Sequence, residues 1–110
     1  MNTRLLIVDD HAVVRSGLRM LLENERDMEI VGEAASAHEA IEMALRIKPN
    51  VILMDIGLPD LSGIDATREI KKRCPEVSVV ALDLAMRFQD PINIRHCATQ
   101  EGIQQIRKVS

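Results

Sequence analysis

The chain has 110 residues, of which 46% are apolar and 28% charged, and its formal net charge is −3. This composition is typical of one soluble globular domain, and the slight negative charge excludes a strongly basic nucleic-acid-binding surface. No apolar run approaches the ~20 residues of a membrane-spanning helix, and the N-terminus lacks the pattern of a signal peptide. We therefore expect a cytoplasmic protein that contacts neither membranes nor nucleic acid directly.

Short apolar runs without polar alternation predict strands that are buried on both faces. They lie at Leu5–Val8, Val51–Asp55 and Val77–Leu82. Met28–Ala34 is predicted to be a further strand, with Ile30-Val31 at its centre. Between them, three segments have helical periodicity or capping signals: His11–Asn24, the segment from Ser36 to Pro49, and the segment from Ser62 to about Cys74. Strands alternating with helices predict an α/β fold with a parallel sheet and right-handed crossovers.

Smaller features carry further expectations. Met20, Met43 and Met54 are predicted to fill the core, and His11 is predicted to cap the first helix or line a pocket rim. Cys74 and Cys97 lack metal or redox-motif spacing, which favours two incidental thiols in a reducing compartment.

The pattern weakens after Leu82. Asp90 and Pro91 interrupt a segment that could be helical, and residues 103–109 could form a poor fifth strand or a short helix. We predict a single domain over residues 1–110 in which residues 83–110 diverge from the preceding pattern. We expect no DNA-binding domain within these residues.

Carboxylates stand at the ends of two predicted strands. Asp9 and Asp10 follow the first strand, and Asp55 ends the third. Parallel strands present their carboxyl ends at one edge of the sheet, so these three side chains would converge if the two strands are neighbours. Their mutual repulsion calls for a hard cation such as Mg²⁺, and an aspartate beside such an ion can act as a nucleophile toward phosphorus.

The residues around these carboxylates resemble a known family. Leu6-Ile7-Val8-Asp9-Asp10-His11 with Val14-Arg15-Ser16-Gly17-Leu18, and Met54-Asp55-Ile56-Gly57-Leu58-Pro59 with Gly63-Ile64-Asp65-Ala66, are similar to response-regulator receiver domains of the NarL/FixJ subfamily. The resemblance covers residues 3–82. It implies a flavodoxin-like (CheY-like) fold with strand order 2-1-3-4-5, in which strands one and three are neighbours.

The resemblance also implies residue roles. Asp55 would accept a phosphoryl group from a sensor histidine kinase, and Mg²⁺ would be bound by Asp10 directly, by Asp9 through water, by Asp55 and by the Gly57 carbonyl. Pro59 and Gly63 would shape the loop. The domain would be no enzyme beyond its own phosphotransfer and dephosphorylation. Members of the subfamily usually join the receiver to a LuxR-type helix-turn-helix domain that regulates transcription.

Two positions depart from the family pattern. Asp83 stands where a receiver has Thr or Ser after the fourth strand, and an ionised carboxylate cannot donate a hydrogen bond to a phosphoryl group. The lysine expected at the end of strand five falls on Ile106, with Lys108 as a weak alternative. A divergent receiver, a truncated or altered chain and a reading-frame change near residue 83 are each compatible with this departure.

Other functions remain open from the sequence. A receiver fold without the switch would be an interaction or dimerisation module. A haloacid-dehalogenase-type phosphatase also has an Asp nucleophile after a strand, but such enzymes have a second Asp where this chain has Gly57. A dinucleotide-binding domain would need a glycine-rich turn in place of Asp9-Asp10-His11-Ala12. If the fifth strand is missing, the fourth becomes an exposed edge, and we expect a homodimer.

Overall fold

The structure, a computed structural model, describes residues 2–82, which form four strands and three helices in strict alternation. The strands are β1 (Thr3–Val8), β2 (Met28–Ala34), β3 (Val51–Asp55) and β4 (Ser78–Leu82). The helices are α1 (Ala12–Glu23), α2 (Ala37–Ile47) and α3 (Gly63–Arg73). Each predicted element up to Leu82 is confirmed, with ends that differ from the prediction by one or a few residues.

The four strands form one parallel sheet in the order β2-β1-β3-β4. This agrees with the first four positions of the predicted order 2-1-3-4-5, and it makes β1 and β3 direct neighbours. In the register, Val8 pairs with Met54 and Asp55 pairs with Leu82. The ends of β1 and β3 are therefore level, so the residues that follow β1 lie beside Asp55.

Both faces of the sheet are covered, which explains why its central strands are apolar at successive positions. One face packs against α1 and buries Leu5, Ile7, Leu18, Leu22, Met28, Val51 and Leu53. The other packs against α2 and α3 and includes Leu6, Val8, Ala40, Ala44, Ile52, Met54, Ala66 and Ile70. Alternate residues of β1 and β3 serve opposite faces because successive strand side chains point in opposite directions.

The helix starts follow local capping chemistry. The Ser36 hydroxyl accepts a hydrogen bond from the Glu39 amide, and the Ser62 hydroxyl accepts one from the Asp65 amide at 3.1 Å. Both serines satisfy backbone donors that the first turn leaves without partners. The predicted caps of α2 and α3 are thus confirmed.

The prediction that Met20 fills the core is wrong. Met54 is buried in β3 at 1% exposure, but Met20 on α1 is 70% exposed. Met20 is two residues away from both Leu18 and Leu22, the buried residues of that helix. Two residues correspond to about 200° around a helix of ~3.6 residues per turn, so Met20 faces solvent.

Several expectations concern residues beyond those described. They are the roles of Asp83 and Lys108, the alignment of Ile106, and the fifth strand. Within residues 2–82, no helix is both long and apolar enough to cross a membrane.

Candidate functional site

Four side chains form an acidic cluster at the carboxyl edge of the sheet: Asp9, Asp10, His11 and Asp55. One ligand atom from each lies within 4.8 Å of all the others. Asp9 and Asp55 have no exposed surface, whereas the Asp10 side chain is 29% exposed. The predicted convergence of the three carboxylates is therefore present in the fold, and it follows from the pairing of β1 with β3.

The β1–α1 loop holds Asp9 by its backbone and its side chain. The Asp9 amide donates to the Ala34 carbonyl on β2 at 3.0 Å. The Asp9 carboxylate accepts a hydrogen bond from the His11 amide at 2.8 Å. These hydrogen bonds fix the orientation of a buried carboxylate and offset the repulsion from the neighbouring carboxylates of Asp10 and Asp55.

The His11 ring contacts both members of the acidic pair. Its Nδ1 lies 3.1 Å from Asp9 Oδ1 and 3.0 Å from Asp10 Oδ1. His11 occupies the N-cap position of α1, but its side chain makes no capping hydrogen bond. Of the two predicted roles, lining the pocket is the one that these contacts support.

The loop after Asp55 turns back tightly on the end of β3. The Gly57 amide donates to Asp55 Oδ1 at 3.0 Å, and the Gly63 amide donates to the Ile56 carbonyl at 2.8 Å. A Cβ atom added at Gly63 would lie 2.2 Å from the Asp55 carbonyl oxygen. Gly63 thus lets α3 begin directly against the residue that carries the central carboxylate. Pro59 is exposed within this loop.

The same loop is tied to α2 through Asp60, a contact that the sequence analysis missed. The two Asp60 carboxylate oxygens accept hydrogen bonds from the Ala37 amide at 2.8 Å and the His38 amide at 3.0 Å. The His38 ring also contacts this carboxylate. The hydrogen bonds from the His38 and Ala37 amides, in that order, hold the pKa of Asp60 well below its ordinary value. An acidic side chain at a helix N-terminus is favoured by the exposed amides and the helix dipole.

This contact predicts an acid-dependent loss of stability. Because the pKa of Asp60 is lower in the folded state, its charge stabilises the fold above the ordinary value of 3.8. That contribution is lost as pH falls through the lower folded-state pKa. The melting temperature of wild type should therefore exceed that of Asp60→Asn at pH 7. This difference in melting temperature should shrink below pH ~4.

Circular dichroism melts across this pH range would measure the difference. The matched control is Glu29→Gln, which neutralises an exposed carboxylate on β2. Its melting temperature should differ little from that of wild type at every pH. A wild-type advantage over Asp60→Asn that is equal at pH 7 and pH 3 would contradict the assignment.

The donor set of the acidic cluster fits a hard divalent cation. Carboxylate oxygens are ligands that Mg²⁺ prefers, and it commonly binds one or two carboxylates together with waters. The two buried aspartates are held by backbone donors, and the partly exposed Asp10 lies toward solvent. The site therefore combines fixed oxygen ligands with an open side.

The family can be assigned from the sequence as well as the geometry. The sequence profile of the response regulator receiver domain matches residues 5–108. The chain belongs to the response regulator receiver domain family. In this chain Asp55 ends a strand of the parallel sheet, beside the acidic pair that follows β1.

Curated relatives of this receiver domain include the response regulator protein VraR. The protein from Staphylococcus epidermidis is 46% identical over 82 residues, which cover 74% of this chain and 39% of that protein. The Staphylococcus aureus protein is 45% identical over the same length. The receiver domain thus spans well under half the length of these relatives.

Solved structures agree on the CheY-like α/β fold. The response regulator domain of Thermotoga maritima CheB matches with a TM-score of 0.84 and 32% identity, covering 99% of this chain and 96% of that one. A LuxR-family response regulator from Aurantimonas sp. SI85-9A1 matches with a TM-score of 0.80 and 28% identity, covering 99% and 85%.

Sequence reasoning located the carboxylates of the receiver site but missed two side chains that hold its loops. One is Asp60, described above. The other is Arg15, whose guanidinium donates to the Asp9 carbonyl at 2.6 Å. From the sequence alone, Arg15 had no predicted role beyond its place in the motif Val14-Arg15-Ser16-Gly17-Leu18. Its place in the first turns after the acidic pair is the one sequence signal that could have suggested the contact.

Proposed function

We propose that this receiver domain accepts a phosphoryl group on Asp55 from a sensor histidine kinase and thereby switches an output. The observation that carries the proposal is the burial of Asp55 at the end of β3, with carboxylate oxygens of Asp9 and Asp10 within 4.8 Å. Magnesium binding and phosphorylation are general features of receiver domains.

The chemistry assigned to Asp55 is nucleophilic substitution at phosphorus. A carboxylate oxygen of Asp55 forms the new O–P bond while the P–N bond of the kinase phosphohistidine breaks, and the electron pair returns to the imidazole nitrogen. The Gly57 amide, 3.0 Å from Asp55 Oδ1, orients the carboxylate. Such orientation reduces the entropy that must be lost on reaching the transition state.

Mg²⁺ would be bound by Asp9, Asp10, Asp55 and the backbone carbonyl of Gly57. When bound, the ion supplies positive charge that offsets the carboxylates and the oxygens of the phosphoryl group. The residues of the chain meanwhile keep the ligands in place. Asp9 is held by the Ala34 carbonyl and the His11 amide, and Asp55 by the Gly57 amide.

The proposed output is transcription, through a LuxR-type helix-turn-helix domain outside this chain. The proposal is supported by the likeness to VraR, of which the chain spans 39%, and to a LuxR-family regulator. A homodimer of receivers would couple phosphorylation to such an output. In this reading the domain is cytoplasmic and binds no DNA itself.

A second candidate is a receiver fold that acts as an interaction or dimerisation module without switching. Asp83, at the position of the family Thr or Ser, favours it, because a carboxylate there cannot donate a hydrogen bond to the phosphoryl group. The two candidates differ in whether phosphorylation changes the oligomeric state or the partner affinity of the chain.

The test of acceptance is phosphorylation of the folded chain by a small phosphodonor such as acetyl phosphate. Intact-mass spectrometry should detect one added phosphoryl group in Mg²⁺, located by peptide mapping on the segment that contains Asp55. Chelation of Mg²⁺ should abolish it. A folded chain that binds Mg²⁺ without incorporating phosphate would overturn the acceptor role and leave the interaction module.

Light scattering of the phosphorylated and unphosphorylated chain would then show whether phosphorylation changes its oligomeric state. A change in mass or partner binding on phosphorylation supports switching. Incorporation without any such change supports the second candidate.

A further inference from the structure

We infer that Arg15 is a positioning residue for the acidic cluster. Its guanidinium fixes the backbone of the β1–α1 loop, so that Asp9 and Asp10 face Asp55. The consequence for metal binding rests on the proposed function, whereas the ordering of the loop does not.

The contact is short and directed. Arg15 Nη1 donates to the Asp9 carbonyl oxygen at 2.6 Å, and only 20% of the Arg15 side chain is exposed. The Asp9 carbonyl belongs to the peptide group that joins Asp9 to Asp10. A donor that holds this oxygen therefore fixes the plane of that peptide group. It thereby also fixes the orientation of Asp10 relative to Asp9.

Asp9 is thus held by three hydrogen bonds, one to β2 and two to α1 and its N-cap. Its amide is bonded to β2 through Ala34, its carboxylate to the His11 amide at the start of α1, and its carbonyl to Arg15 within α1. Of these three hydrogen bonds, the one from Arg15 is the only one that a side chain from outside the β1–α1 loop makes. It is therefore the bond that a substitution can remove without changing a residue of the acidic cluster.

The Arg15 guanidinium is itself held in place by Glu33 on β2. Its Nε lies 3.3 Å from Glu33 Oε1, and the second oxygen of Glu33 accepts from Arg19 Nε at 2.6 Å. Arg19 also bonds Glu23 at 3.0 Å. The hydrogen bonds that Arg19 donates to Glu33 and then to Glu23 raise the pKa of Arg19, which holds its guanidinium charged beside Glu33.

The planar guanidinium suits this role better than an ammonium would. Its fork directs Nη1 to the loop and Nε to Glu33, and the two directions are rigidly related. Lysine keeps the positive charge near the cluster, but it has one rotating donor group on a flexible stem. Arg15→Lys therefore separates the geometric contribution from the electrostatic one.

The experiment compares wild type, Arg15→Lys and Arg15→Gln with Arg19→Gln in the full 110-residue chain. Arg19→Gln is the matched control because it removes an arginine from the same helix and from the same partner, Glu33, without touching Asp9. Three quantities are measured: amide hydrogen exchange of His11 without metal, the Mg²⁺ dissociation constant by calorimetry, and the melting temperature.

Both Arg15 variants should exchange the His11 amide faster and bind Mg²⁺ about tenfold more weakly, as for other residues that orient metal ligands. Arg19→Gln should lower the melting temperature while both site readouts stay near wild type. Arg15 variants with wild-type exchange and affinity would overturn the inference, as would an equal loss of both in Arg19→Gln.

The outcome stays informative if the proposed function fails. Should wild type bind no Mg²⁺, the metal site is wrong. Faster His11 exchange in the Arg15 variants alone would then still support the positioning role, and unchanged exchange would refute it.

Discussion

Asp55→Asn is expected to abolish phosphoryl acceptance and, at the same time, to raise the stability of the metal-free fold. Asparagine keeps the shape of the side chain and can still accept the hydrogen bond from the Gly57 amide, but it lacks the anionic oxygen that attacks phosphorus. The catalytic loss and the gain in stability have one cause, which is the removal of a charge from the acidic cluster.

The gain in stability follows from repulsion among the carboxylates. Two unit charges ~5 Å apart interact with about 3 kcal/mol at an effective dielectric constant of ~20. Even a third of that energy would shift the melting temperature of a domain of this size by about 4–8 °C. Adding Mg²⁺ should raise the melting temperature of wild type toward that of Asp55→Asn, since ligand binding stabilises the folded state. The melting temperature of Asp55→Asn itself should rise much less.

Melting curves with and without Mg²⁺, together with the mass assay, would measure both effects. The matched control is Asp65→Asn, which removes a carboxylate near the start of α3, outside the acidic cluster. It should leave phosphoryl incorporation and the Mg²⁺ response unchanged. If Asp55→Asn still incorporated phosphate, or melted below wild type in the absence of metal, the assignment of Asp55 would be wrong.

The second large effect is expected at Gly63. A Cβ at this position would lie 2.2 Å from the Asp55 carbonyl oxygen and 2.7 Å from the Ile56 Cα, and both contacts are with backbone. Backbone cannot swing aside as a flexible side chain can, so Gly63→Ala must displace α3 from the end of β3. Overpacking of this kind costs about 1–3 kcal/mol, which corresponds to a melting temperature lower by roughly 5–20 °C.

Gly63→Ala should also weaken phosphoryl acceptance, because the backbone that the new Cβ presses against is that of Asp55 itself. Gly17→Ala is the control, since a Cβ at Gly17 meets no heavy atom within 4 Å. In the interior of α1, alanine should stabilise by about 0.5–1 kcal/mol relative to glycine. Equal melting temperatures for Gly63→Ala and Gly17→Ala would show that the close approach at Gly63 is not needed.

Much of the receiver fold can be predicted from the sequence because its signals are local. The buried strands are short apolar runs, and the starts of α2 and α3 are marked by Ser36 and Ser62, whose hydroxyls bond amides three residues ahead. Asp9, Asp10 and Asp55 stand at strand ends along the chain. The rule that parallel strands share one carboxyl edge then brings them together, once β1 and β3 are neighbours.

That neighbour relation, and the contacts that hold the site loops, depend on the tertiary structure. Asp60 bonds the start of α2 from a position 23 residues later in the chain, and Arg15 meets Glu33 on a different element. Such pairs depend on how far each helix is rotated against the sheet, which no local pattern specifies. Met20 is exposed for the same reason, because packing decides which side of α1 is buried. The positions of the candidate carboxylates can thus be predicted from local sequence patterns, whereas the residues that hold them in place depend on how the helices pack on the sheet.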